Sequence, residues 1–99
     1  MSETKYIDQD IYHIDQRVYD TAWVIKKFLR NRYLVLGFSS TKVLDINGSK
    51  YKDAIGVSID PKRRVVEVGR KGSNLAITVA DINEVTVDRI NGGLKIRVV

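Results

Sequence analysis

The sequence predicts an α+β domain in which an N-terminal amphipathic helix packs on a curved, mainly antiparallel sheet of six or seven strands, arranged as a meander, roll or partial barrel. Three observations carry that expectation. Up to about Arg30 the apolar residues recur at three- and four-residue spacing, and beyond Arg32 they alternate. The alternating runs are separated by residue pairs that favour tight turns.

The helix comes first. At about 100° per residue, Ile7, Ile11, Ile14, Val18, Ala22, Ile25 and Leu29 share one narrow stripe, which predicts a helix over residues 7–31. A second stripe of Tyr12, Tyr19 and Trp23 lies about 120° round from it and widens the face to be buried. Asp8, Asp10 and Asp15 fall early and Lys26, Lys27 and Arg30 late, the polarity a helix dipole favours.

Residues 32–99 read as strands. Tyr33 to Phe38 is nearly continuous apolar sequence, as in a strand covered on both faces. Alternation follows at Leu44 and Ile46; Ile55, Val57 and Ile59; Val66 and Val68; Leu75, Ile77 and Val79; Val85 and Val87; and Leu94, Ile96 and Val98. Asn47-Gly48 and Asn91-Gly92 suit tight hairpin turns, Asp60-Pro61 opens a type I turn, and Arg70-Lys71-Gly72-Ser73 reads as another turn. No repeat or linker interrupts the chain, so residues 1–99 are expected to form a single domain. A helix about 10 Å across cannot cover seven strands spaced about 4.8 Å apart, so either the sheet curls on itself or a second copy covers the remainder.

Composition narrows the function classes. The 99 residues contain no cysteine, which excludes disulfides, thiolate nucleophiles and thiolate metal sites. No apolar run approaches the ~18 residues of a membrane helix, and the first residues lack the apolar stretch of a secretion signal, so a cytoplasmic location is expected. The net charge of +5 is uneven: Glu3, Asp8, Asp10, Asp15 and Asp20 against Lys5 and Arg17 leave residues 1–20 at −3 and the rest at +8. Such asymmetry favours an acidic partner, most often nucleic acid, although complementing the helix dipole explains part of it.

Catalytic signatures are missing. His13 is the single histidine and falls away from the apolar stripe; no cofactor motif is present, and the carboxylates are scattered singly, leaving only a metal-dependent nuclease open. In a simple meander, alternate turns share an end of the sheet. That arrangement gathers Lys26, Lys27, Arg30, Arg32, Lys50, Arg70 and Lys71 at one basic pole, with Arg89 and Lys95 beside the last turn, suited to neutralising phosphates. Tyr51, between Lys50 and Lys52, is the best-placed aromatic for stacking on an unpaired base, ahead of Tyr33 and Phe38.

Three resemblances accompany this reading. Gly69-Arg70-Lys71-Gly72, with Ser73-Asn74-Leu75 after it, resembles the glycine-bounded loop with which KH domains clamp a nucleic-acid backbone; in that family the loop joins two helices. Residues 77–98, with Asp81-Ile82 leading into Val85-Thr86-Val87 and a turn before Leu94-Lys95-Ile96, look like the closing strands of pleckstrin-homology-like barrels, which implies lipid-headgroup or protein binding. The abundance of Ile, Val, Tyr, Lys and Arg, the paucity of Gln and the lack of Cys resemble small proteins of hyperthermophilic archaea and their viruses, which implies a very stable accessory protein, in the host cytoplasm if viral.

The function expected from these observations is a non-catalytic binding module that contacts nucleic acid through the basic pole without strong sequence readout. The alternative is an interaction or structural protein, homodimeric in one version, that uses the stripe of Tyr12, Tyr19 and Trp23.

Overall fold

The computed structural model describes residues 6–9, 11–27 and 33–99, and the fold it shows is almost entirely β. The elements in chain order are β1 (Tyr6–Gln9), β2 (Tyr12–Asp15), a short 3-10 helix (Gln16–Asp20), β3 (Ala22–Lys27), β4 (Tyr33–Ile46), β5 (Ser49–Asp60), β6 (Val65–Arg70), β7 (Ser73–Thr78), β8 (Val85–Ile90) and β9 (Gly93–Val98).

The α+β expectation is therefore overturned at its helix. The described residues of that stretch form two short strands that pair as a hairpin, a 3-10 turn and a third strand. The segment is rich in Ile, Val, Tyr, Trp and Thr, side chains that fit a pleated surface better than a helix. The helical spacing arises because successive short elements each place a residue in the core. Ile14 on β2, Val18 on the 3-10 helix and Ala22 on β3 are all buried, four residues apart. Asp15 ends β2 and starts the 3-10 turn, its side chain accepting the Arg17 backbone N–H at 2.9 Å.

The strands form one mixed sheet in the order β1-β2-β8-β9-β4-β5-β6-β7, with β3 added beside β4. The stretch from β4 to β7 is a meander as expected, and β8-β9 is a hairpin. Two junctions are parallel instead of antiparallel, β2 with β8 and β4 with β9. The long strand β4 has two neighbours along one edge: β3 pairs with Tyr33–Phe38 and β9 with Val43–Ile46. Between those portions the β4-β5 register shifts, as at a β-bulge, which bends a strand and increases its twist.

Self-coverage answers the question of what shields the sheet. Leu34, Leu36, Phe38, Val57, Ile59, Val66 and Val68 belong with Tyr12, Ile14, Val18, Val85, Val87, Leu94 and Ile96 to one contiguous buried cluster. Tyr12 crosses it, its hydroxyl 3.5 Å from the Ile59 carbonyl oxygen. Each large aliphatic side chain so buried contributes about 1.5–3 kcal/mol relative to exposure.

Turn chemistry follows the sequence at Asn47-Gly48 and at Asp60 but not at Asn91-Gly92, where Gly92 alone takes positive φ (80°) and the turn is not of the primed type expected. Asn47 and Gly48 both take positive φ (50° and 92°), as a primed hairpin turn requires. Asp60 accepts hydrogen bonds from the Lys62 and Arg63 backbone N–H groups at 3.1 and 3.2 Å. The segment Gly69–Gly72 closes the β6-β7 hairpin, so the glycine-bounded loop here joins strands and not helices.

Candidate basic interface

The β4-β5 ribbon is irregular where the chemistry gathers. Lys42 pairs with Ala54 and Leu44 with Tyr51, so Lys52 and Asp53 together stand opposite Val43 alone. On the other side, Phe38 to Thr41 bulge opposite Ile55. Asp53 takes φ 59°, a left-handed conformation that a short polar side chain tolerates. The same irregularity lets Ala54 take the buried position that alternation assigns to Ile55, and leaves Ile55 exposed.

Two open clefts meet at this irregular segment. The first, about 460 Å³, is lined by Arg17 and Thr21 from either end of the 3-10 helix, Lys42 of β4, and Arg89 to Gly93 of the β8-β9 hairpin. Asp15 orients Arg17: its buried carboxylate accepts the guanidinium Nη2–H at 2.8 Å. The Arg17 guanidinium beside it holds the Asp15 carboxyl below the ordinary carboxylate range, against the opposing effect of burial. Arg89 lies 3.9 Å from Asp20 in an exposed ion pair, and the Lys42 ammonium donates to Ser40 Oγ at 3.1 Å. The second cleft, about 490 Å³, is lined by Thr41, Lys52, Asp53, Arg70, Lys71 and Ser73. Thr41 and Lys42, consecutive on β4, belong one to each cleft.

Comparison with protein-family models, curated proteins and solved structures finds no match.

The expected pole is only partly assembled. Arg70 and Lys71 share a cleft, and Lys52 joins them. Lys50 lies opposite Asp45 near the tip of the β4-β5 hairpin, whereas Lys26 and Lys27 pair with Leu34 and Tyr33 at the far end of β4. Those positions are separated by roughly 35 Å of strand at about 3.3 Å per residue. Arg30 and Arg32 lie outside the described residues. Sequence reasoning missed Arg17, Lys42 and Lys52, because their convergence depends on the bulges and on the parallel docking of β9; Arg89 was placed beside the last turn, where it lies.

The aromatic stripe is divided. Tyr12 is fully buried and is a core residue, which removes it from any interface. Tyr19 is 41% and Trp23 67% exposed. Trp23 pairs with Gly37, and the same cross-strand row continues through Gly56 and Gly69, so the indole stands at the end of a shallow trough floored by glycine. Tyr51 is partly buried and packs against the core. His13 is partly buried on β2, 4.0 Å from a Glu84 carboxylate oxygen. Among the described residues no group of three or more His, Asp or Glu side chains is placed to hold a metal ion, and no helix is long and apolar enough to cross a membrane.

Proposed function

We propose that the protein is a non-catalytic module that binds nucleic acid through its phosphates, without strong sequence readout. One observation carries the reading: the bulged centre of β4-β5 brings Arg17, Lys42 and Arg89 to one cleft and Lys52, Arg70 and Lys71 to the cleft beside it. Asp15, Asp20 and Asp53 offset part of that charge, and the band stays net positive on a chain of net charge +5. Contacts to phosphate from such a band are sequence-independent and release counterions.

The test is anisotropy binding of duplex DNA and of single-stranded DNA and RNA, titrated between about 50 and 200 mM salt. Affinity is expected to fall steeply with salt, and the slope to decrease in the Lys42→Gln/Arg89→Gln variant. Salt-independent binding, or none at the lowest salt, removes the reading.

A second reading has its own observation. The exposed Trp23 beside the glycine-floored trough suits a protein partner or a second copy of the chain, since large aromatic side chains anchor such contacts. Sedimentation of the wild type and of Trp23→Ala at equal concentration tests it; a molar mass that is monomeric in both removes the homodimer.

A further inference from the structure

The strand that closes one end of the sheet is unlike its other edges. Among the described residues, β7 has β6 on one side and no strand on the other. Natural edge strands are blunted by charge, proline or a bulge, because an open row of main-chain groups accepts a further strand. β1 carries Asp8, and β3, beside β4, carries Lys26 and Lys27. Ser73-Asn74-Leu75-Ala76-Ile77-Thr78 has neither charge nor proline, and it pairs with β6 without a register shift. The ladder also fixes which groups are open. Continuing that register sets Val79 opposite Arg64, and the Val79 N–H donates to the Arg64 carbonyl at 3.0 Å. Ser73, Leu75 and Ile77, in phase with Val79, therefore bond to β6, and Asn74, Ala76 and Thr78 turn their N–H and C=O groups outward.

This strand is complementary to itself. With Ala76 facing Ala76 across a two-fold axis, Asn74 of each copy faces Thr78 of the other. The outward residues then exchange roughly six main-chain hydrogen bonds, two for each facing pair. Moving the centre to Leu75 or Ile77 leaves Thr78 facing the Gly72 turn, or Asn74 facing Ala80 beyond the strand. In the Ala76-centred register Leu75 faces Ile77 on the core side of the sheet; both are only partly buried in one copy, and the pairing extends their cover. Charge agrees with the same register. It brings the Lys71 turn of each copy to the end of the strand that carries Asp81 in the other, a carboxylate 80% exposed with Arg64 at 3.6 Å. We propose that β7 is a homodimerisation edge, joined antiparallel to β7 of a second copy about Ala76. Such an interface is isologous and consumes both edges, so it closes at two chains. It rests on neither the phosphate reading nor the exposed Trp23, which lies on β3.

The experiment is sedimentation of the full chain over a range of concentrations, joined to hydrogen exchange in concentrated and dilute samples. The wild type is expected to be dimeric when concentrated. The amides of Asn74, Ala76 and Thr78 should then exchange about tenfold or more slowly than in the dilute monomer, while those of Leu75 and Ile77, bonded within each copy, change less. Ala76→Pro removes an outward N–H and no bond to β6, and is expected to raise the dissociation constant of the dimer about tenfold or more. Ala76→Glu lines up carboxylates from Glu67 and position 76 of both copies in one cross-strand row, and is expected to be monomeric. A labelled Ala76→Glu chain should regain the dimeric mass when mixed with Ala76→Lys, which keeps the test decisive if a single variant lowers the melting temperature. A wild type that is monomeric at every concentration overturns the proposal. So does a dimer that persists unchanged in Ala76→Pro and Ala76→Glu, or one that Trp23→Ala abolishes while both Ala76 variants keep it, which gives the contact to the trough. Protection of the Ala76 amide that depends on an added alternating Thr-Val peptide, and not on chain concentration, gives the edge to a foreign strand and overturns the second copy.

Discussion

The carboxylate of Asp15 holds Arg17 at two points, taking its backbone N–H at 2.9 Å and its guanidinium at 2.8 Å. The acid is buried and the base half exposed, so the contact ends the first hairpin, starts the 3-10 turn and aims a cation at the first cleft. One short sequence, Asp15-Gln16-Arg17, thus links a local turn to the electrostatics of the surface.

Loss of that carboxylate is expected to be felt in stability and in its pH dependence. Asp15→Asn should cost about 1–3 kcal/mol at pH 7, a value reduced by the solvent around Arg17. The folded-state pKa of Asp15 lies below its ordinary value, so its contribution is fully present above about pH 5 and is lost as pH falls through the carboxylate range below about 4. Urea titrations at pH 7 and pH 3 check this: the wild-type advantage over the variant should shrink at pH 3, and an undiminished advantage contradicts it.

Gly93 is required by the docking of β9 on β4. Any Cβ there would collide with the Val43 backbone, carbonyl oxygen included. Gly93→Ala is expected to cost about 3 kcal/mol or more, since relief requires separating two strands. Gly92→Ala should cost only about 1 kcal/mol, because its φ of +80° is unfavourable for alanine but the space around it is open. Thermal melts of the two variants should differ clearly, and equal melting temperatures would contradict the strand contact.

The side chain of Asn47 behaves as an extra strand residue. Its Nδ2–H donates to the Val98 carbonyl at 3.0 Å and its Oδ1 accepts the Val98 N–H at 2.8 Å, while its backbone N–H donates to Ile96. Asn47→Gly keeps the positive φ and loses the amide, and should cost about 1–2 kcal/mol. Hydrogen exchange at Val98 is the direct readout: its amide should exchange faster in the variant while that of Ile96 changes less.

Tyr12 and Trp23 are expected to respond in opposite ways. Tyr12→Ala empties a wholly buried site and should cost about 3–5 kcal/mol. Trp23→Ala, two-thirds exposed, should change monomer stability by no more than about 1 kcal/mol. Denaturant titration of both separates core from surface, and a large loss in Trp23→Ala would place the indole in the core after all.

The strand half of the chain was legible because alternation and turn pairs agree: Val66 and Val68, Val85 and Val87, and Leu94, Ile96 and Val98 are buried, and Asn47-Gly48 turns as its residues demand. The first third was misread because four-residue strands are too short for period to distinguish them from helix. Ile14, Val18 and Ala22 satisfy a helical stripe while belonging to a strand, a 3-10 turn and another strand. Their β-branched and aromatic neighbours were the signal available. In the candidate site Arg70 and Lys71 were legible as turn bases. Arg17, Lys42 and Lys52 were not, because bulges and parallel pairings between distant segments leave no local pattern.

The double occupancy of one edge of β4 has a consequence for how the protein is made. The portion from Tyr33 to Phe38 pairs with β3, which precedes it, but Val43–Ile46 waits for Gly93–Ile96. At about 5–20 residues per second, the intervening segment takes the ribosome several seconds. During that interval a nascent chain carries open amides and carbonyls on a strand already aligned by its hairpin, a ready template for a wrong strand. Yield on expression should thus depend on translation speed and chaperone supply more than the stability of the finished sheet implies.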